Sequence, residues 1–220
     1  MALLCYKYLN QIKKVLILEE LIEAIENDNI VALKKLCKEG IDLNQPIDAG
    51  LEYGLEDPDY MPVLFFAIRK HASIEFIEVL LENGLDLHQT DNDGLSAIDI
   101  AIKFKRLDMV QYCIDKGVDI NTTKRPSGLK PITLAACFNS TEIVQLLLDN
   151  GAEINAEDNR GMSTKDYAKK LGQKKMLVYL DERGAKFNRY AQDTKVESLK
   201  EQGDMKNRQA PTDDMGFDSI

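Results

Sequence analysis

Apolar residues return three and four positions apart in five stretches of this chain, and each stretch closes on a glycine. The glycines are Gly40, Gly84, Gly117, Gly151 and Gly184, at intervals of 44, 33, 34 and 33 residues. The stretch Glu142-Ile143-Val144-Gln145-Leu146-Leu147-Leu148-Asp149-Asn150 shows the rule: one apolar face, an acidic residue at the start and Gly151 at the end. That spacing predicts a helix with one buried stripe. The acidic start suits the helix dipole, and the glycine supplies the left-handed residue that stops the helix.

A second pattern follows each glycine. In Gly117-Val118-Asp119-Ile120-Asn121 apolar and polar residues alternate, as they do in Gly40-Ile41-Asp42-Leu43-Asn44 and Gly84-Leu85-Asp86-Leu87-His88. Alternation predicts an extended segment with one face turned inward. A turn and another helix come next, with Ala67, Ala101, Ala135 and Ala168 in one common register. A small residue there lets neighbouring helices approach closely. Pro131 stands where a first-turn proline costs nothing, because its missing N–H would have had no partner. A period near 33 residues with two helices per period predicts a solenoid of stacked hairpins.

These residues resemble the ankyrin repeat family. The family pattern Asp-x-x-Gly-x-Thr-Pro-Leu-His-x-Ala stands here as Asp91-x-x-Gly94-x-Ser96-Ala97-Ile98-Asp99-x-Ala101, and in part as Asp158-x-x-Gly161-x-Ser163. The resemblance implies an all-α solenoid of helix-turn-helix repeats with short hairpin-like fingers. It divides the chain into a capping helix at 1–17 and repeats at 18–44, 61–92, 93–125, 126–158 and 159–186. An acidic insertion falls at 45–60 and a flexible tail at 187–220. The family's histidine is replaced by Phe65, Asp99, Thr133 and Asp166, which alters the usual turn hydrogen bonds. Lys165 stands in place of a core leucine, in a last copy rich in lysine; a polar outer face is what a terminal repeat needs. Residues 1–17 carry Leu4, Tyr8, Ile12 and Val15 at helical spacing, which fits a helix laid over the first repeat.

Charge and candidate chemistry change this picture only a little. With 28 Lys and Arg against 37 Asp and Glu, the net charge of −9 argues against a nucleic-acid binder, which would need a basic face. It suits a partner with a basic surface. No apolar run is long enough for a membrane span, and no secretory signal pattern opens the chain, so the expected location is cytoplasmic. The four cysteines form no Cys-x-x-Cys pair, so no metal site is expected. The two histidines, His71 and His88, fall in different repeats, and no catalytic motif or phosphate loop occurs. The chain therefore reads as a non-enzyme without a cofactor.

What remains is surface. The resemblance implies a concave face, lined by the first helices and fingers, that binds another protein. The insertion contributes Glu52, Tyr53, Glu56, Asp57, Asp59 and Tyr60, either as a binding element or as a solvated loop. The second finger carries Asp91 and Asp93, and the third Lys124 and Arg125. Phe104 and Phe138 stand three residues after the register alanines and serve as aromatic anchors in this reading, whereas Leu171, at the same place, packs within the array. A chain closed at both ends is expected to be a monomer. Two roles stay open: an inhibitor or immunity-type protein, and a secreted or regulatory adaptor engaging host or cellular proteins. A subunit completing an enzyme site is the reading from another class.

Overall fold

The computed structural model describes residues 15–48 and 59–189. The capping-helix expectation therefore lies outside the described residues for positions 1–14. So do the tail beyond residue 189 and the insertion residues Glu52, Tyr53, Glu56 and Asp57.

Helices follow one another in pairs. The first pair is α1 (residues 15–26) and α2 (Ile30–Lys38). Then come α3 (Val63–Arg69) with α4 (Ile74–Glu82), α5 (Ala97–Lys103) with α6 (Leu107–Asp115), α7 (Pro131–Cys137) with α8 (Thr141–Asp149), and α9 (Thr164–Lys170) with α10 (Lys174–Glu182). Helix α1 runs unbroken through residues 15–26, so the border between 17 and 18 falls inside it. First helices stack on first helices, α3 on α5, α5 on α7 and α7 on α9; the second helices form a parallel row, α2, α4, α6, α8. This is an all-α repeat solenoid with one small sheet, the antiparallel pair β1 (Ile47–Asp48) and β2 (Tyr60–Met61).

The register alanines explain the stacking. Ala67, Ala101, Ala135 and Ala168 are each 0% exposed, at the points where consecutive first helices meet. With no side chain beyond Cβ, helix axes can approach to about 8 Å. The closing glycines Gly40, Gly84, Gly117, Gly151 and Gly184 all have positive φ, and each passes the chain into the segment that buries Leu43, Leu85 and Leu87, Ile120, Ala152 and Ala185 respectively.

Within each pair, one residue of the turn is left-handed: Asp28, His71, Lys105, Asn139 and Gly172, with φ of 49°, 61°, 55°, 53° and 66°. Asp, His and Asn tolerate that conformation better than most side chains, and glycine adopts it freely. In two of the pairs the residue after it ties one repeat to the one before. Arg106 Nη1 donates to the carbonyl of Ile68, and Gln173 Nε2 to the carbonyl of Cys137. Between the first two pairs, the Ser73 N–H and hydroxyl both donate to Asp28.

The last repeat departs from the expected solvated end. Lys165 is only 9% exposed. Its ammonium meets Asp181 and the carbonyl of Ala185, and lies over the ring of Phe187. The buried alkyl stem fills the space a leucine would fill, while the charge is taken by a carboxylate and a π face. The packed array also extends past residue 186, because the Asn188 and Arg189 N–H groups donate to Asp166.

Candidate functional site

The first helices α3, α5, α7 and α9 are seven residues long, about 10 Å, and present two ends to solvent. At their N-terminal end lie the fingers. Thr90 pairs with Ser96, and Glu157 with Ser163, as isolated bridges that close the second and fourth fingers. Aspartates set the turns: Asp91 Oδ1 accepts the N–H groups of Asp93 and Leu95, and Asp158 Oδ1 those of Arg160 and Met162. Such side-chain-to-backbone bonds are the usual chemistry of an Asx turn. The Tyr167 hydroxyl donates to Asp158 Oδ2 at 2.7 Å; burial and the neighbouring Asp158 carboxylate push the phenol's pKa above its ordinary value.

The fingers are held against each other by close backbone approach. A Cβ at Gly94 would stand 2.4 Å from the carbonyl oxygen of Lys124, and one at Gly128 would stand 2.5 Å from Asn159 Oδ1. Asn159 in turn donates through its backbone N–H to Ser127 and through Nδ2 to Pro126, and Asn188 Nδ2 donates to Gly161. Fingers three and four are thus stitched by several bonds. Asp59 and Tyr60 stand at the first finger, with the Asp59 N–H donating to Asp48. Tyr60 is 63% exposed.

The named candidates divide in two. Asp59, Tyr60, Asp93 and Lys124 are exposed, and Asp91 is half-buried. Arg125 behaves differently. It is half-buried, and its Nη1 lies inside with no hydrogen-bond partner. Its charge reaches Asp99, whose Oδ1 is also buried without a partner. Burial pushes the Asp99 carboxyl up from its ordinary value; bonds from Ser96 and the charge of Arg125 pull against that shift.

At the C-terminal end of the first helices stand the cap residues Lys70, Phe104, Phe138 and Leu171. Phe104 and Phe138 are half-buried and pack against the core, while Leu171 is 39% exposed. The Arg69 guanidinium sits over the Phe104 ring. The aromatic pair therefore offers edges rather than whole rings, and the leucine is the more open of the three. His88 is exposed, and its backbone N–H caps on Asp86. The asparagines in its register reach farther: Asn121 bonds to Gly151 and Glu153 of the next repeat, and Asn155 accepts from the Lys186 N–H.

One feature of this end escaped the motif-by-motif reading. Residues 66–73, 100–105, 134–139 and 167–172 contain Arg69, Lys70, Lys103, Lys105, Lys169 and Lys170 and no acidic residue at all, in a chain of net charge −9. Aligning the copies on their register alanines and summing charge by column would have found it. In the first pair Glu26 and Asp28 occupy this end instead, and Glu26 binds Lys70 at 2.8 Å. Asp108, just beyond, is held by a two-pronged contact with Arg106, whose hydrogen bonds lower the carboxyl's pKa.

Little here suits covalent chemistry. Burial raises the thiols of Cys113 and Cys137 to about 12, far from a reactive thiolate. Among the described residues, no group of three or more His, Cys, Asp or Glu side chains could hold a metal ion. No helix among them is long and apolar enough to cross a membrane.

The sequence profile of ankyrin repeats (three copies) matches residues 21–124 and 116–191. No curated protein matches the chain.

Proposed function

From a chain that belongs to the ankyrin repeat family, whose repeats are in general protein–protein interaction modules, we propose a binder that takes another protein along its first helices and fingers. The observation that carries this reading is a contrast within the repeat itself. The register alanine is fully buried in α3, α5, α7 and α9. Two residues later the same position holds Arg69, Lys103, Cys137 and Lys170, and at the finger tips it is Asp59, Asp93, Lys124 and Asn159 that face solvent or its edge. Packing dictates the first set, while the second varies from repeat to repeat in charge and size, as the contact positions of a repeat that binds different partners would.

The reading assigns Tyr60 as an exposed aromatic anchor on the first finger, with Asp59, Asp91 and Asp93 facing basic groups of the partner. Lys124 extends the same edge with the opposite sign, so charge orients the partner more than it adds affinity. Arg125 supports the third finger from inside, and Phe104 and Phe138 supply apolar edges between the exposed lysines.

Site-specific photocrosslinking in the native cell tests this. A benzophenone amino acid replaces Tyr60 or Phe104, and in a control Lys34, exposed on the second-helix row. The expected result is one crosslinked protein shared by positions 60 and 104 and absent from position 34. Equal crosslinking from position 34 would overturn the reading.

A further inference from the structure

We infer that the cleft between α4 and α6, at the root of the second finger, receives an arginine side chain of the partner protein. This rests on the protein-binding reading above and adds a contact on the side of the second helices. The cleft has a volume of about 390 Å³. Its floor is apolar: Leu81 and Tyr112 come from the two helices, and Leu85 and Leu87 from the segment that leads into the finger. Glu82 and His88 stand at its rim, both exposed.

Two departures from the repeat meet at this place. In repeats three and four the second helix carries glutamine and aspartate four residues apart, and the amide donates to the carboxylate: Gln111 to Asp115 at 2.7 Å, and Gln145 to Asp149 at 2.6 Å. Repeat two has Glu78 and Glu82 in those positions. Like charges at that spacing destabilise a helix, and α4 has no basic residue in its last turn to offset them. Four residues past the closing glycine, Asn121 and Asn155 stitch their segments to the next repeat. Repeat two has His88 there, with its backbone N–H on Asp86. Among the described residues, neither the His88 nor the Glu82 side chain has a hydrogen-bond or ion-pair partner. Local folding explains neither change. Together they leave the cleft open and place an unmatched carboxylate at its mouth.

The chemistry of the cleft names its occupant. Lys116, on the far wall, is already matched: Glu78 lies 3.8 Å from its ammonium, which also sits over the Tyr112 ring at 5.1 Å. Glu82 keeps its charge unanswered. Residues 78–93 hold Glu78, Glu82, Asp86, Asp91 and Asp93 and no Lys or Arg, so the potential along the finger draws a basic group toward the cleft. A carboxylate beside leucines suits a side chain that is apolar along its stem and cationic at its tip. Arginine fits better than lysine, because its planar guanidinium takes one carboxylate through two parallel N–H bonds. The stem lies on Leu81, Leu85 and Leu87, and the guanidinium meets Glu82. Lys34 stands on the neighbouring helix α2 and a turn earlier in the repeat than Glu82, so it lies outside the cleft.

Heteronuclear NMR on the isotope-labelled full chain decides it, with three probes. They are N-acetyl-arginine methylamide, its lysine counterpart, and its citrulline counterpart, which keeps the shape of arginine without the charge. The expected result is saturable shifts from the arginine probe at the amides of residues 81–88 and 112–117, weakened by added salt. The lysine probe should bind at least several-fold more weakly, and the citrulline probe should leave those amides unmoved. Glu82→Gln should lower the arginine affinity at least fivefold with an unchanged thermal melt. Glu78→Gln/Glu82→Asp/His88→Asn, which restores the pattern of repeats three and four, should lose the shifts and keep a cooperative melt. Equal shifts from arginine and either counterpart, no shifts at the cleft, or an affinity indifferent to both variants would overturn the inference. Crosslinks from positions 60 and 104 without arginine shifts would leave the protein-binding reading and remove the cleft. Arginine shifts with equal crosslinking from position 34 would do the reverse.

Discussion

Two capping boxes in this chain are almost the same in sequence and differ in how the rest of the fold completes them. Ser96-Ala97-Ile98-Asp99 opens α5, and Ser163-Thr164-Lys165-Asp166 opens α9. In both, the serine N–H and hydroxyl donate to the aspartate Oδ2, at 2.9 and 2.7 Å in the first and 2.9 and 3.0 Å in the second. Asp166, 0% exposed, also accepts the N–H groups of Asn188 and Arg189. Asp99 is equally enclosed but keeps one oxygen without a partner and an elevated pKa. The local motif is enough to start a helix in either place. How many donors the buried carboxylate gathers depends on a segment more than twenty residues further on.

The largest test of this contrast is deletion of each carboxylate. Asp166→Ala strands the buried Ser163 N–H and takes their acceptor from the part-buried Asn188 and Arg189 N–H groups, and should cost about 3 kcal/mol, because a buried unsatisfied donor costs about 1–3 kcal/mol. Asp99→Ala should cost about 1 kcal/mol, since only the Ser96 donors are stranded. Urea denaturation of the full chain measures both; equal losses would break the comparison.

A subtler test uses pH. A carboxyl whose pKa is raised on folding binds its proton more tightly in the folded state. Asp99 therefore favours the fold below its unfolded pKa, and that contribution is lost as pH rises through the folded value. Asp99→Asn should remove this downward slope in denaturant midpoint above the ordinary carboxylate range. Arg125→Gln, which takes away the opposing charge, should steepen it. A wild-type slope unchanged by Asp99→Asn would show that other carboxyls set it.

The smallest expected effect concerns the turns behind the two boxes. Lys105 and Gly172 hold the same left-handed place in repeats three and five. Lys105→Gly should stabilise by about 1 kcal/mol, and Gly172→Lys should destabilise by a similar amount. Thermal melts of the two single variants report it.

Much of the fold was legible before any coordinates. The spacing of apolar residues marked the second helices, the glycines marked their ends, and Ala67, Ala101, Ala135 and Ala168 marked the contacts between first helices, all now fully buried. Those signals are short-range: a helix shows its buried stripe within two turns, and a stop within one residue. The candidate surface was less legible. The acidic finger tips could be placed by eye, whereas the basic end of the first helices is dispersed over four repeats and emerges only when they are brought side by side.

By itself, then, the sequence determined the repeat, its period and the course of the second helices, because each follows from local periodicity and turn chemistry. Tertiary structure decided which side chains meet across repeats. Lys165, read as part of a solvated end, is buried because Asp181 and Phe187 fold back over it. Arg125, read as a finger-tip charge, keeps a buried guanidinium nitrogen within reach of Asp99. Phe104 and Phe138 share their rings with the core, and Leu171 stands open at the array's last described repeat. Burial and charge pairing depend on neighbours some twenty to forty residues away along the chain, and no local pattern carries that distance.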